Sequence, residues 1–260
     1  MRISLSLVVA VLICASCAKG TPTNPVLPPG ASLTPLPQPP YVGLGRYSKL
    51  AEITVPQSVG GIPFISFVEV RQSANSTYPQ RDVAGFAYAL KGQHSISWDD
   101  GAKGKTVDEG TAAWMDGEIS HVNFTASDTV WYMVAVRSIA QRNAPAPYPS
   151  FRLLYASPDL TAPPAGKNLV HQLAMITMEP GGRTSAHSHG GTEAFYVMQG
   201  TVQLAVNNGT RITVAAGQGA SIRPGLIMQL RVVGDEAVQI LTYFVTPEGE
   251  PWQTNVQTVP

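Results

Sequence analysis

Cysteine is nearly absent: the 260 residues hold two, Cys14 and Cys17, and both fall before residue 18. Beyond that point no disulfide can staple the chain and no thiol can act as nucleophile or metal ligand. Charge is sparse as well, at 13% of residues, with 17 basic side chains balancing 17 acidic ones. With no net positive charge and no cluster of lysine and arginine, nothing follows a phosphate backbone, which excludes nucleic acid as an expected partner. No segment repeats its apolar residues convincingly at 3.6-residue spacing, so long amphipathic helices are missing. The apolar run from Ile3 to Ile13 is too short to span a bilayer as a mature helix. What is present is length and a hydrophobic content of 44%, enough for one large or two small domains with real cores.

The first 17 residues, MRISLSLVVAVLICASC, place one arginine before the apolar run and small residues before the last cysteine, the build of a signal peptide. Ala15-Ser16-Cys17 resembles the lipobox of bacterial lipoproteins, although Cys14 stands where leucine is usual. The resemblance implies cleavage before Cys17, lipidation of its thiol, and a membrane anchor in the bacterial cell envelope. A soluble secreted or periplasmic protein with an ordinary cleaved signal is the alternative. Residues 18–45 are dense in proline and nearly free of charge. They read as an extended spacer of about 3.1 Å per residue that tethers the folded part.

From about Tyr47 onward, short alternating runs of Val, Ile, Thr, Tyr and Phe are separated by Gly, Pro, Asn and Asp, which predicts an all-β fold. The clearest hairpin joins Thr201–Val206 to Arg211–Val214 through Asn207-Asn208-Gly209, where Asn-Gly supplies the positive φ of a tight turn. A short helix fits best within Ser138 to Leu160, interrupted by Pro145, Pro147 and Pro149. Three landmark pairs lie 108 positions apart: Gly92 and Gly200, Gly101 and Gly209 (closing Asp100-Gly101 and Asn208-Gly209 turns), and Val130 and Val238. Their agreement predicts an internal duplication. The expected division is a first barrel over 46–142, a linker over 143–168, a second barrel over 169–250 and a tail over 251–260.

Gly181 to Gly200 reads GGRTSAHSHGGTEAFYVMQG. On a strand, His187 and His189 project to one face and Glu193 keeps that parity. If the face points into a barrel, two imidazoles and a carboxylate are costly there unless a divalent cation satisfies them. A solvated polar loop is the plain alternative, and strand parity alone leaves both open.

The full spacing, Gly181, His187, His189, Glu193 and Gly200, resembles the first motif of the cupin superfamily, G-x5-H-x-H-x3-E-x6-G, in every fixed position. The resemblance covers about Tyr47 to Glu250. It implies two tandem cupin barrels, jelly-roll-like double-stranded β-helices, with His187, His189 and Glu193 as metal ligands in the second. The second cupin motif usually adds a histidine shortly after a Pro-Gly turn. Here Pro224-Gly225 matches, but the histidine's place holds Met228, or Gln229 one residue on. Met228 either ligates through its thioether, tilting the site toward copper, or packs, and packing is the preferred reading. The ligand set then implies Fe, Mn, Ni or Zn without choosing among them.

In the first repeat, the counterparts of the three ligands are Pro79, Arg81 and Gly85, none a ligand, so that barrel is expected to be metal-free. His121, near the second-motif position, and His94 and His171 read as hydrogen-bonded structural residues. Arg183 and Arg223 are candidates to pair with an anionic substrate, and Tyr196, Gln203, Met228 and Gln229 to line a pocket. The resemblance implies a metal-dependent enzyme acting on a small oxygen-rich molecule, as dioxygenase, isomerase or hydrolase. The alternatives are a metal-containing binding or sensing module and a purely structural envelope lipoprotein. Barrels of this kind associate through strand edges, so a homodimer is a further expectation.

Overall fold

The structure is a computed structural model that describes residues 41–42, 45–56, 63–98, 103–143, 150–160 and 166–256. The signal segment, Cys17, most of the spacer, the Asp100-Gly101 turn and the prolines at 145, 147 and 149 lie outside those residues. In chain order the strands are β1 (Tyr41–Val42), β2 (Gly45–Pro56), β3 (Pro63–Gln72), β4 (Ser76–Lys91), β5 (His94–Trp98), β6 (Lys103–Val107), β7 (Ala112–Asn123), β8 (Thr129–Ser138) and β9 (Phe151–Ala156). The second half adds β10 (Asn168–Met178), β11 (Arg183–Thr184), β12 (His187–Ser188), β13 (Thr192–Gln199), β14 (Thr201–Val206), β15 (Arg211–Ala215), β16 (Gly219–Ile222), β17 (Met228–Val232), β18 (Val238–Pro247) and β19 (Thr254–Asn255). Among the described residues a 3-10 turn, Ile139–Gln141, sits where a short helix was expected, and there is no α-helix.

The pairing repeats. In the first half β8 lies between β3 and β4, β4 also pairs β7, and β5 pairs β6 and β7. In the second half β18 lies between β10 and β13, β13 also pairs β16, and β14 pairs β15 and β17. The first half forms one seven-stranded sheet, in the order β6-β5-β7-β4-β8-β3-β9, because β4 and β7 run unbroken. The second half splits into two sheets, since Gly190-Gly191 separates β12 from β13 and Pro224-Gly225 separates β16 from β17. The result is all-β, two tandem cupin-like barrels.

Two strands cross the boundaries expected from sequence. β2 pairs β10 along its length, so residues 45–56 extend the second half's sheet and not the first. β9, inside the expected linker, pairs β3 and completes the first sheet. Each terminal strand therefore supplies the hydrogen bonds that an edge would otherwise expose.

Alternation along the strands sorts the core into three layers. Ile96, Met115, Trp131 and Met133 fill the first barrel, while Phe195, Val197, Leu204 and Ile240 fill the second. Between them, Phe67, Phe86 and Tyr132 from one sheet pack against Tyr196, Leu241 and Tyr243 from the other. Phe195 and Tyr196, adjacent in sequence, thus enter different layers. Phe67, Phe86 and Phe195 are wholly buried, each adding about 1.5–3 kcal/mol over an exposed ring.

Candidate metal centre

β12 and β13 present His187 and Glu193 on the inward face of the second barrel, and His189 follows β12 by one residue. All three side chains are buried, at 5%, 4% and 2% exposure for His187, His189 and Glu193. One ligand atom from each lies within 4.8 Å of the other two. Among the described residues, no other group of three His, Cys, Asp or Glu side chains converges in this way. Gly190 and Gly191 permit the close passage between the histidines and the glutamate. A Cβ at Gly190 would come within 2.8 Å of Pro251 O, and one at Gly191 would collide with Val245 O and Thr246 Cα.

Hydrogen bonds set the tautomers. His187 Nδ1 lies 2.7 Å from Ser185 O and His189 Nδ1 lies 2.6 Å from Trp252 O. A carbonyl oxygen only accepts, so each Nδ1 carries a proton, and in the neutral ring each Nε2 keeps a lone pair. Glu193 Oε1 accepts from Thr242 Oγ1 at 2.8 Å. Glu193 Oε2 is buried without a hydrogen-bond donor among the described residues, yet lies 3.2 Å from His189 Nε2. With a neutral His189, two acceptors face one another across that gap, and either a proton on His189 Nε2 or a bound cation resolves it. The donor set therefore fits a divalent ion: two imidazole nitrogens and one carboxylate oxygen.

The electrostatics agree. Burial, and then the charge of His189, lower the His187 pKa to about 4, against smaller raising effects of Glu193 and the Ser185 carbonyl, so this imidazole is neutral at neutral pH. Burial pushes the Glu193 carboxyl up, but its interactions with His189, then the charge of His187 and the Thr242 hydrogen bond, outweigh it. The net shift is below the usual glutamate range. A neutral histidine and an ionised carboxylate are the protonation states a metal requires.

The cavity between the ligands has a volume of about 10 Å³, bounded by Tyr47, Ile176, Thr184, Met228, Leu230, Phe244, Trp252 and Gln253, roughly the space of one water. Met228, fully buried, stands directly across from His187 and packs into the second barrel's apolar core. Its neighbour Gln229 has the opposite parity and donates from Nε2 to Thr184 O at 2.9 Å, outside the cavity. Tyr196 is likewise not in the wall: even-numbered positions of β13 face the layer between the barrels, where its ring lies 6.2 Å from Phe67. Arg183 and Arg223 are exposed and do not border the cavity, nor does Gln203, whose strand turns Val202 and Leu204 inward.

Sequence reasoning missed several wall residues. Tyr47 arrives from β2, a strand assigned by sequence to the other barrel, and Trp252 and Gln253 belong to the expected tail. That tail is a strap: β19 pairs β12, Gly190 N donates to Pro251 O at 3.0 Å, and Val256 N donates to Ala186 O at 2.9 Å. Thr242 was legible in principle, as a lone hydroxyl among the inward residues of VQILTYFV.

The first barrel's interior differs. Pro79 and Arg81 are exposed, and a Cβ on Gly85 would strike Val134 O. His121 pairs Ile96 as Leu230 pairs Leu204, which places it one inward step beyond Met228's position. It is hydrogen-bonded to His94 (3.0 Å) and Gln80 (2.7 Å) and lies against Trp131. His171 bonds Tyr243 Oη at 2.6 Å. All three are hydrogen-bonded core residues.

Residues 174–244 match the family model described as a cupin domain. No curated protein matches the chain by sequence. Among solved structures, a variant of the oxalate decarboxylase of B. subtilis superposes with a TM-score of 0.53 at 14% identity, covering 74% of this chain and 71% of that one. The oxalate decarboxylase of Lactobacillus farciminis, solved as a formate complex, gives 0.54 at 13% identity, covering 83% and 85%. At such identity the likeness is one of fold.

Proposed function

We propose that this protein, a member of the cupin superfamily, is an exported metal-dependent enzyme acting on a small oxygen-rich molecule. His187 Nε2, His189 Nε2 and Glu193 Oε2 would hold the ion. The observation that carries the reading is the convergence of three buried ligand atoms within 4.8 Å of one another, with Glu193 Oε2 3.2 Å from His189 Nε2 and otherwise without a partner among the described residues. A bound divalent metal supplies Lewis acidity toward an oxygen ligand and lowers the pKa of bound water. The chain's own part is to hold the ligands in one protonation state. Ser185 O and Trp252 O fix the imidazoles, Thr242 fixes the carboxylate, and Met228, Leu230 and Phe244 keep bulk water out.

The ligand types leave Fe, Mn, Ni and Zn open, and a packed Met228 argues against copper. The fold neighbours are oxalate decarboxylases, which supports a small carboxylic acid as one substrate class to try. Lipidation at Cys17 would place the enzyme on the cell envelope, and its spacer would carry it clear of the membrane. A second reading, a metal-containing binding or sensing module, is favoured by the 10 Å³ cavity, which leaves little room for a reacting molecule.

Metal analysis of the protein beside its His187→Ala/Glu193→Ala variant tests the site. Equal metal in both would remove the reading. With metal present in wild type alone, oxygen-uptake and hydrolysis screens against small organic acids separate enzyme from binder. Turnover lost in the variant supports the enzyme, and traces identical to the variant's support the binder.

A further inference from the structure

The cavity's outer wall has a donor with nothing to bond. The Trp252 indole Nε1 is buried and has no hydrogen-bond partner among the described residues, although its side chain borders the space between the three ligands. The ring is held in place on three sides, with centroids 5.0 Å from Tyr47, 5.5 Å from Phe244 and 5.8 Å from His189. Its own carbonyl receives the His189 Nδ1 proton. An unpaired buried N–H is costly, and one beside an open metal face asks for an acceptor. The rest of the wall is neutral. No lysine or arginine borders the cavity, and Tyr47 is kept protonated, since burial and then the charges of Glu193 and Glu52 push its phenol up. Two neutral imidazoles and one carboxylate leave a divalent ion with one net positive charge. A second negative charge on the ligand would meet no counter-charge in an apolar pocket.

Resting on the metal-centre reading above, we infer that the centre's exogenous ligand is a small oxygen ligand bearing at most one negative charge, and that Trp252 selects it by donating its indole N–H to a ligand oxygen. The charge balance sets the class. A monocarboxylate of formate size fits it; a dicarboxylate does not. The cavity's small volume adds that entry of such a ligand displaces side chains of the wall.

The test loads the full-length protein with cobalt(II), measures metal content, and titrates the visible spectrum with formate and, separately, with oxalate. Formate is expected to bind saturably, and Trp252→Phe, which keeps an aromatic ring but not the N–H, to weaken it about tenfold at unchanged cobalt content. Oxalate is expected either to leave the spectrum unchanged or to strip the metal. Oxalate binding as tightly as formate with cobalt retained would overturn the charge argument in wild type, with no variant needed. Equal formate affinity in Trp252→Phe would overturn the role of the indole. No cobalt uptake by wild type would instead sink the metal-centre reading itself.

Discussion

Glu193→Gln should change stability in opposite directions with and without metal. With His189 neutral in the metal-free protein, Glu193 Oε2 faces its Nε2 lone pair at 3.2 Å with no other partner among the described residues. The variant's amide can turn its NH2 toward that nitrogen while its oxygen keeps the Thr242 hydroxyl, so a buried charge and an unpaired acceptor are removed together. An unsatisfied buried polar group costs about 1–3 kcal/mol, and for a domain of this size each kcal/mol moves Tm by about 2–4 °C. The metal-free variant should therefore melt roughly 2–12 °C above metal-free wild type. Adding metal at a hundred times its Kd stabilises wild type by about 2.7 kcal/mol and should leave the variant unmoved, so the gap between the two melting curves closes or reverses. The assay is thermal denaturation at about pH 8, after chelator treatment and again after reloading. A metal-free variant less stable than metal-free wild type would refute the claim that two acceptors oppose each other in the unfilled site.

Other outcomes follow from the same geometry. Thr242→Val removes the donor to Glu193 Oε1 and should weaken metal binding about 10–100-fold, read by competition with a coloured chelator; unchanged affinity would show the hydroxyl does not orient the ligand. Gly191→Ala drives a methyl into Val245 O and Thr246 Cα and should cost at least about 1–3 kcal/mol, seen as a lower urea midpoint and lost metal. Acid should destabilise the metal-free protein: burial lowers His171 to about 4 and His94 to about 3. Their unfolded forms take up protons at about 6.5, so this stability is whole above that pH and is lost as pH falls toward the folded values. The loss is of the order of 3 kcal/mol for His171. A urea midpoint flat from pH 7 to pH 4.5 would contradict it.

Strand parity, a property of the local chain, pointed His187, His189 and Glu193 to one face, although the structure interrupts that strand over residues 189–191 and brings the three together across the break. The duplication was locally readable too, since turn glycines such as Gly92 and Gly200 carry positive φ in both halves and recur at one spacing. The hydrogen-bonded roles of His94, His121 and His171 also held. Tyr196 was misjudged as a pocket residue because the sequence suggests a sheet with one buried face, whereas β13 is buried on both.

Composition, turn chemistry and local periodicity thus determined by themselves an all-β chain, its repeat and three inward-facing candidate ligands, features written in local pattern. Tertiary structure alone decided that β2 joins the second half's sheet and β9 the first's, that Tyr47 and Trp252 meet 5.0 Å apart, and that Trp252 O bonds His189 Nδ1. Those contacts join positions about 200 and 60 residues apart. The register that brings them together is set by three packed layers at once, and no local pattern encodes it.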